Sequence, residues 1–470
     1  MDKNNLPLGV LWRRVYEITG GEWNAAGAEA FRPREESSPL PVWENSIFAY
    51  NLSIACNHCV HPKCAGVCPV NAYQVRPDGI VLIDTHKCIG CGYCAWACPY
   101  DAPQIDKSAG VMTKCNLCYD NLDAGLPPAC VAACPLRCLE LIQVGDHGNP
   151  EKGLELWDIP ASLHPYPLPS RSRTRPHLLL KPHPAAKLVG ETTQVNNREE
   201  ISATKSPAAP AGEIPLIFFT LLSQIAIGTL ASILMILLSL SDKLLARQIS
   251  LLPLLGAGLS VTAALFISFS HLGTPHNAWR VLHNLRKSWL SREILFISGF
   301  SGLLAILMGV RLFQIGSNFA WTSLVGITLL CGLAALVSMQ RVYQFRTIPG
   351  WNKHRTLLEF SASTLGLGGL LTVSLLPKNI PAGAVEWIPP IAALAFLAGL
   401  YVTLSTINSS YCRLSRLRIA LLLAALGGCF AMFFSPTGGG LGIHWLVFGL
   451  ALIEEALGRW LFYARRQPGI

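Results

Sequence analysis

Residues 56–99 read CNHCVHPKCAGVCPVNAYQVRPDGIVLIDTHKCIGCGYCAWACP. The stretch holds two four-cysteine runs. Cys56, Cys59, Cys64 and Cys68 are spaced C-x2-C-x4-C-x3-C-P, and Cys88, Cys91, Cys94 and Cys98 are spaced C-x2-C-x2-C-x3-C-P. The second spacing is that of paired iron–sulfur sites: three close thiolates hold one 4Fe-4S cubane, and the fourth cysteine, followed by proline, reaches the neighbouring cluster. Each run then completes the other. One cluster is expected on Cys56, Cys59, Cys64 and Cys98, and a second on Cys68, Cys88, Cys91 and Cys94. Zinc sites use isolated CxxC pairs and disulfide frameworks belong to small secreted domains, so both fit the pattern worse than iron does.

The 470 residues leave room for two or three domains. Hydrophobic residues make up 51% and charged residues only 14%, too apolar for an ordinary soluble enzyme. The excess is unevenly spread: residues 1–212 read as soluble and residues 213–464 as membrane. Of the 16 cysteines, all but Cys331, Cys412 and Cys429 lie between Cys56 and Cys138, and those three are simplest as small hydrophobes. The net charge of +9 needs no nucleic-acid partner, because much of it lies in loops between apolar runs, where basic residues set membrane orientation. No apolar core segment precedes Trp12, so no export leader is expected on this chain.

In the first 50 residues a strand, a polar loop and a second strand around Ile47–Tyr50 are expected. After the first cysteine run, Pro77-Asp78-Gly79 turns into a short strand at Ile80–Ile83, the two-stranded insertion that a ferredoxin-like unit needs. A third group, Cys115, Cys118, Cys130 and Cys134, again ends in Cys-Pro, but its partner run is missing. Cys138 is either a substitute ligand or an unligated thiol.

These groups, with NLSIACNHC, HPKCAGVCP, HKCIGCGYCAWACPY, MTKCNLCYD and CPLRCLEL, resemble the iron–sulfur electron-transfer subunit of the dimethyl sulfoxide reductase family of molybdenum enzymes, from about residue 3 to residue 200. The resemblance implies four 4Fe-4S clusters and an opening cysteine run that this sequence lacks. The expectation is that the missing ligands lie just upstream of Met1, giving two clusters on the sequence as it stands and up to four on a longer chain.

Residues 151–212, with Pro165, Pro167, Pro169, Pro182 and Pro184 among many basic and hydroxyl residues, read as an extended strap and linker. Eight apolar runs follow, near 214–240, 249–271, 293–312, 320–340, 357–376, 388–406, 417–434 and 441–463. Each is about long enough to cross roughly 30 Å of hydrocarbon as a helix of about 20 residues. Trp279, Trp289, Trp321, Trp351, Trp387, Trp445 and Trp460 stand near run ends, where indoles anchor at interfaces. The loops on the side of the cluster domain carry most of the basic residues, including Arg286, Arg292, Arg341, Arg355, Arg413 and Arg418, which puts that domain in the cytoplasm.

A cluster wire tied to such an anchor implies exchange with quinone, and its chemistry needs a proton acceptor near the membrane surface. His271 closes the second run and Glu293 opens the third on the same side, so the loop between them can bring imidazole and carboxylate together. Glu455 and Arg459, one helical turn apart, read as a structural ion pair. HLGTP, LSREI, MQRVY and EEALGRWLFY resemble the anchor subunit of the same family, which implies menaquinol oxidation at His271 and Glu293 without haem. The sequence agrees on haem: His271 and His444 lie at opposite ends of their runs.

The expected fold is therefore an α+β ferredoxin-like iron–sulfur domain (residues 1–150) and a strap (151–212), fused to an all-α polytopic membrane domain of eight transmembrane helices (213–470). The expected function is electron transfer and anchoring for a separate molybdopterin-containing catalytic subunit in the cytoplasmic membrane, with lipid and quinone as the other partners. One alternative runs the same architecture in reverse, as a sulfite dehydrogenase-like quinone reductase. The other is a transporter, which needs charged or broken helices at mid-membrane.

Overall fold

A computed structural model describes residues 7, 10–20, 48–142, 174–178, 214–240, 251–315, 317–345, 351, 353–376, 381–405, 412–434 and 441–464. The chain divides into two compact units, one bearing the cysteine groups and the other the long helices.

In the first unit, β1 (Arg14–Gly20) pairs antiparallel with β2 (Phe48–Ile54), Arg14 standing opposite Ile54. The first strand thus begins just beyond the apolar Val10-Leu11-Trp12. The first cysteine loop leads into α1 (Lys63–Val67), then β3 (Tyr73–Val75) and β4 (Val81–Ile83) form a hairpin. Its turn is closed by Asp78, whose Oδ1 accepts the Ile80 N–H at 3.2 Å, and by Gly79 at φ +81°. The second cysteine loop needs glycine twice: Gly90 and Gly92 sit at φ +69° and +71°, a region closed to most side chains, and let the backbone wind into α2 (Tyr93–Ala97). The hairpin β5 (Gln104–Asp106) and β6 (Val111–Thr113), then α3 (Tyr119–Asp123) and α4 (Ala129–Ala132), carry the third cysteine group. Arg14 ties β1 to the loop after Cys98, bonding Asp101 at 2.8 Å and the Tyr100 carbonyl at 2.6 Å. Most of the strap lies outside the described residues. Its segment 174–178 lies along the first cysteine loop, where Val60 and His61 donate to the Arg175 and Thr174 carbonyls and His177 donates to that of Asn57.

The second unit holds α5 (Ile214–Ser239), α6 (Leu251–Ser270), α7 (Trp289–Leu312), α8 (Asn318–Val342), α9 (Lys353–Leu375), α10 (Ile388–Leu404), α11 (Cys412–Phe434) and α12 (Leu441–Ala464). Ser288 and Ser317 cap α7 and α8 by accepting from Ser291 and Ala320, and prolines preset the first turn of α10. Six of these helices are long and apolar enough to cross a membrane. The others depart for different reasons: α10 has 17 residues, and α12 carries Glu454, Glu455 and Arg459.

The best windows of α5 and α9 are each 72% buried, against 28% in α6, α7 and α11, so α5 and α9 form the centre. They cross with backbones touching: a Cβ on Gly228 would strike the Thr364 carbonyl, and one on Gly368 would strike the Gly228 backbone. In lipid, where burial of apolar side chains drives little association, such small-residue crossings let helices pack closely. Leu259, Phe266, Leu330, Leu394 and Phe430 point outward, as lipid-facing side chains do. Trp351, expected at an interface, is instead 2% exposed; it stacks on Phe462 at 5.2 Å and donates to that residue's carbonyl at 3.0 Å.

Candidate functional site

A cavity lies between the first two cysteine loops, and Cys56, Cys59, Cys64 and Cys98 all stand on its wall, together with His58, Tyr100, Lys114 and Thr174. The fold brings them together because α1 and α2 each close a cysteine loop and the Cys-Pro after α2 returns the backbone towards the first run. Tyr100 and Thr174 share a hydrogen bond at 3.0 Å. Burial pushes the Cys59 thiol up to about 11 and that of Cys98 up to about 12, and Cys64 also rises. These thiols therefore stay protonated until a metal displaces the proton, which couples binding to proton release. Burial, reinforced by the charges of Lys114 and His177, holds the His58 imidazole down to about 3.

Cys68, Cys88, Cys91 and Cys94 form a second neighbourhood, with Cys68 and Cys88 near Cys91, and Cys91 and Cys68 near Cys94, which also has Cys64 of the first set as a neighbour. Backbone N–H groups already point at the sulfurs: Ala72 donates to Cys68 Sγ at 3.3 Å, and Gly90 and Met112 donate to Cys88 Sγ at 3.4 and 3.3 Å. Burial lifts Cys91 to about 12. Among the described residues, no three histidine, cysteine or carboxylate side chains converge as a single mononuclear ion requires. A cubane is held by four thiolates, one at each of its separate irons.

The third group is divided. Cys115 Sγ accepts the Leu117 N–H at 3.4 Å and has Cys56 and Cys130 as neighbours, and Cys118 is buried at the start of α3. Cys134 instead lies at the surface with its Sγ 3.3 Å from that of exposed Cys138, an interaction that lowers the Cys134 thiol pKa and raises that of Cys138. Cys138 is thus placed against a group member.

In the helical unit, His271 follows the end of α6, its Nδ1 buried without a partner, and the ring interacts with the Ser268 backbone. Glu293, in the first turns of α7, is 1% exposed, and its Oε1 has no partner. Among the described residues no hydrogen bond or ion pair joins the two. The hydroxyl of Tyr343 has Glu293 and Arg459 as charged neighbours and accepts from Tyr463 at 2.7 Å.

Sequence reasoning missed the polar centre beside it. Arg418, grouped above with the orienting loop residues, is 1% exposed and bonds Glu454 at 2.8 Å and Glu359 at 3.2 Å. Glu455 and Arg459, expected as a direct pair, meet through Ser363, which donates to Glu455 at 2.7 Å and accepts from Arg459 at 3.0 Å. Arg459 also bonds Gln224 at 3.0 Å and stands 3.8 Å above the Phe360 ring. The signal available was the charge itself: Arg418, Glu454, Glu455 and Arg459 all interrupt apolar runs.

A family model described as a 4Fe-4S dicluster domain matches residues 47–144, and one described as the DMSO reductase anchor subunit (DmsC) matches residues 210–464. The component designated B of the anaerobic dimethyl sulfoxide reductase of Haemophilus influenzae is 42% identical over 192 residues, covering 41% of this chain and 84% of that protein. Its Escherichia coli namesake is 41% identical over 192 residues, covering 41% and 83%. The component designated B of the Allochromatium vinosum sulfite dehydrogenase is 41% identical over 135 residues, covering 24% and 56%. With the cysteine half matched to one subunit type and the helical half to the other, this protein belongs to the dimethyl sulfoxide reductase family, an iron–sulfur subunit and a multi-pass membrane anchor joined in one polypeptide.

Proposed function

We propose that this chain carries electrons between membrane menaquinol and a separate molybdopterin-containing catalytic subunit, with the helical half crossing the cytoplasmic membrane eight times and the cysteine half facing the cytoplasm. The observation that carries the reading is the cavity on which cysteines from two sequence runs, Cys56, Cys59, Cys64 and Cys98, stand together. These four would hold one 4Fe-4S cluster, and Cys68, Cys88, Cys91 and Cys94 a second. Cys115, Cys118, Cys130 and Cys134 are the ligands left for further clusters. When bound, the clusters supply one-electron transfer. His271 and Glu293 hold the quinol headgroup and take its protons, since each presents a buried polar atom without a protein partner. No haem is invoked.

Membranes carrying His271→Ala test the quinol site. They are expected to lose cluster reduction by a menaquinol analogue while dithionite still develops the cluster EPR signals. Undiminished quinol-driven reduction removes His271 from the site. The likeness to a sulfite dehydrogenase component supports a second reading in which electrons run towards quinone. Cluster reduction by a sulfite-oxidising partner, with quinone as acceptor, would favour it.

A further inference from the structure

Lys114 precedes the third cysteine group and plays no part in the ligand sets above. Its side chain is 4% exposed, and its ammonium donates to the Cys115 carbonyl at 3.0 Å and to the carbonyl of Val81. An ammonium has three donors, so these two bonds leave one. Among the described residues no carboxylate pairs with it, and burying a cation without a compensating charge is unfavourable. The same side chain stands on the wall of the cavity shared by Cys56, Cys59, Cys64 and Cys98. Its charge acts on Cys59 and Cys64 on one side and on Cys115 on the other.

The other basic groups on that wall do not duplicate it. Lys63 is exposed, where water screens its charge. His58 accepts the Val81 N–H at its Nδ1, 3.1 Å away, and an imidazole accepting at one nitrogen is neutral. Lys114 is therefore the buried cation of this cavity, and thiolates with their iron are the negative charge that its surroundings lack.

We propose that Lys114 is a positioning residue for electron transfer: its ammonium, fixed between the Cys56, Cys59, Cys64 and Cys98 site and the backbone of Cys115, stabilises the reduced state of the cluster on those cysteines and raises its reduction potential. The inference rests on the iron–sulfur reading above. Each reduction adds one electron to the cluster, taken from the quinol-class donor, with no bond made or broken. In a poorly polarisable interior a nearby fixed cation favours that added charge far more than the same cation in water does.

The test is an EPR-monitored redox titration of the full chain in membranes, unaltered and as Lys114→Met, Lys114→Gln and Lys114→Arg, with iron counted in each. The neutral variants are expected to keep their iron and to move the midpoint of one cluster to more negative potential, whereas Lys114→Arg stays near the unaltered value. Glutamine keeps a neutral N–H donor and methionine keeps only the apolar stem, so a shift common to both follows the charge. A neutral variant that retains iron with an unmoved midpoint overturns the proposal. If neither neutral variant holds iron but Lys114→Arg does, the site requires the charge and the proposal stands; loss of iron from all three overturns it in favour of a purely structural side chain. Absence of iron from the unaltered protein would instead strike the iron–sulfur reading itself.

Discussion

Arg418→Met probes the buried charge centre of the anchor. Arg418 is 1% exposed and holds two carboxylates, Glu454 (0% exposed) and Glu359 (8% exposed), at 2.8 and 3.2 Å. Hydrogen bonds to charged groups contribute about 1.5–3 kcal/mol each, which for two gives roughly 3–6 kcal/mol. Deleting one partner of a buried ion pair costs about 3–5 kcal/mol, because the other charge is left desolvated. The two routes agree, and for a unit of this size the loss corresponds to a melting shift of roughly 6–20 °C. The assay is thermal unfolding of the detergent-solubilised chain followed by circular dichroism. The carboxylates can then be removed as well: Arg418→Met with Glu359→Leu and Glu454→Leu is expected to recover most of the loss, since apolar replacement of a whole buried ion cluster is close to neutral. A single variant within about 1 kcal/mol of the unaltered protein, or a triple variant no better than the single, would refute the reasoning.

Gly368→Val drives a side chain into the Gly228 backbone and is expected to destabilise the α5–α9 crossing by about 1–3 kcal/mol or more, whereas Gly427→Ala, with open space around its Cβ, is expected to melt unchanged. Cys98→Ser is expected to remove the iron of one cluster while the signal assigned to Cys68, Cys88, Cys91 and Cys94 persists; unchanged iron would exclude Cys98 as a ligand. The pH dependence of the iron-free protein follows from its raised thiols. Burial lifts Cys59 to about 11 and Cys91 and Cys98 to about 12 from an ordinary value of 9.0, so their stabilising contribution is complete below pH 9 and is lost as pH climbs towards 11–12. Denaturation midpoints of chelator-stripped protein should fall across that window while iron-loaded protein, its thiols already ionised, should not; parallel falls in both would defeat the linkage.

The parts of this molecule legible in one sequence window are those whose chemistry is local. Two cysteine spacings and their following prolines state which thiols can share a cavity, because the loop and the short helix after it are fixed within about ten residues of chain. Helix positions were readable for the same reason: an apolar run of sufficient length has few other solutions in lipid. Lys114 and Thr174 were not readable. Each reaches the cavity wall only because β4, the Cys98 loop and the strap segment 174–178 converge there, a long-range fact that no spacing carries. Trp351 misled for a related reason. It stands beside a helix start, as an interfacial indole does, yet the aromatic cluster of Tyr343, Phe360, Phe462 and Tyr463 gives its ring an apolar site and the Phe462 carbonyl takes its N–H.

The buried charges bear on the choice between an anchor and a transporter, since charged residues at depth were the feature said to favour transport. Transport sites pair such residues with interrupted helices whose freed backbone groups line a cavity. Here Glu359, Arg418 and the Glu454, Glu455 and Arg459 group sit in α9, α11 and α12, each of which runs as one continuous helix. Arg418 is occupied by two carboxylates, and Arg459 by Gln224, Ser363 and the face of Phe360. Glu359 lies six residues from the start of α9, Arg418 six residues from the start of α11 and Arg459 five from the end of α12, which at about 1.5 Å per residue is less than half of a bilayer core from the helix ends, while Glu454, ten residues from the end of α12, lies about halfway across. Charges held by one another on continuous helices fasten those helices together, and the Tyr463–Tyr343 hydrogen bond extends the same fastening towards Glu293. The quinol site proposed at Glu293 would gain from that rigidity, whereas a carrier that must rock between two states would have to break it in every cycle.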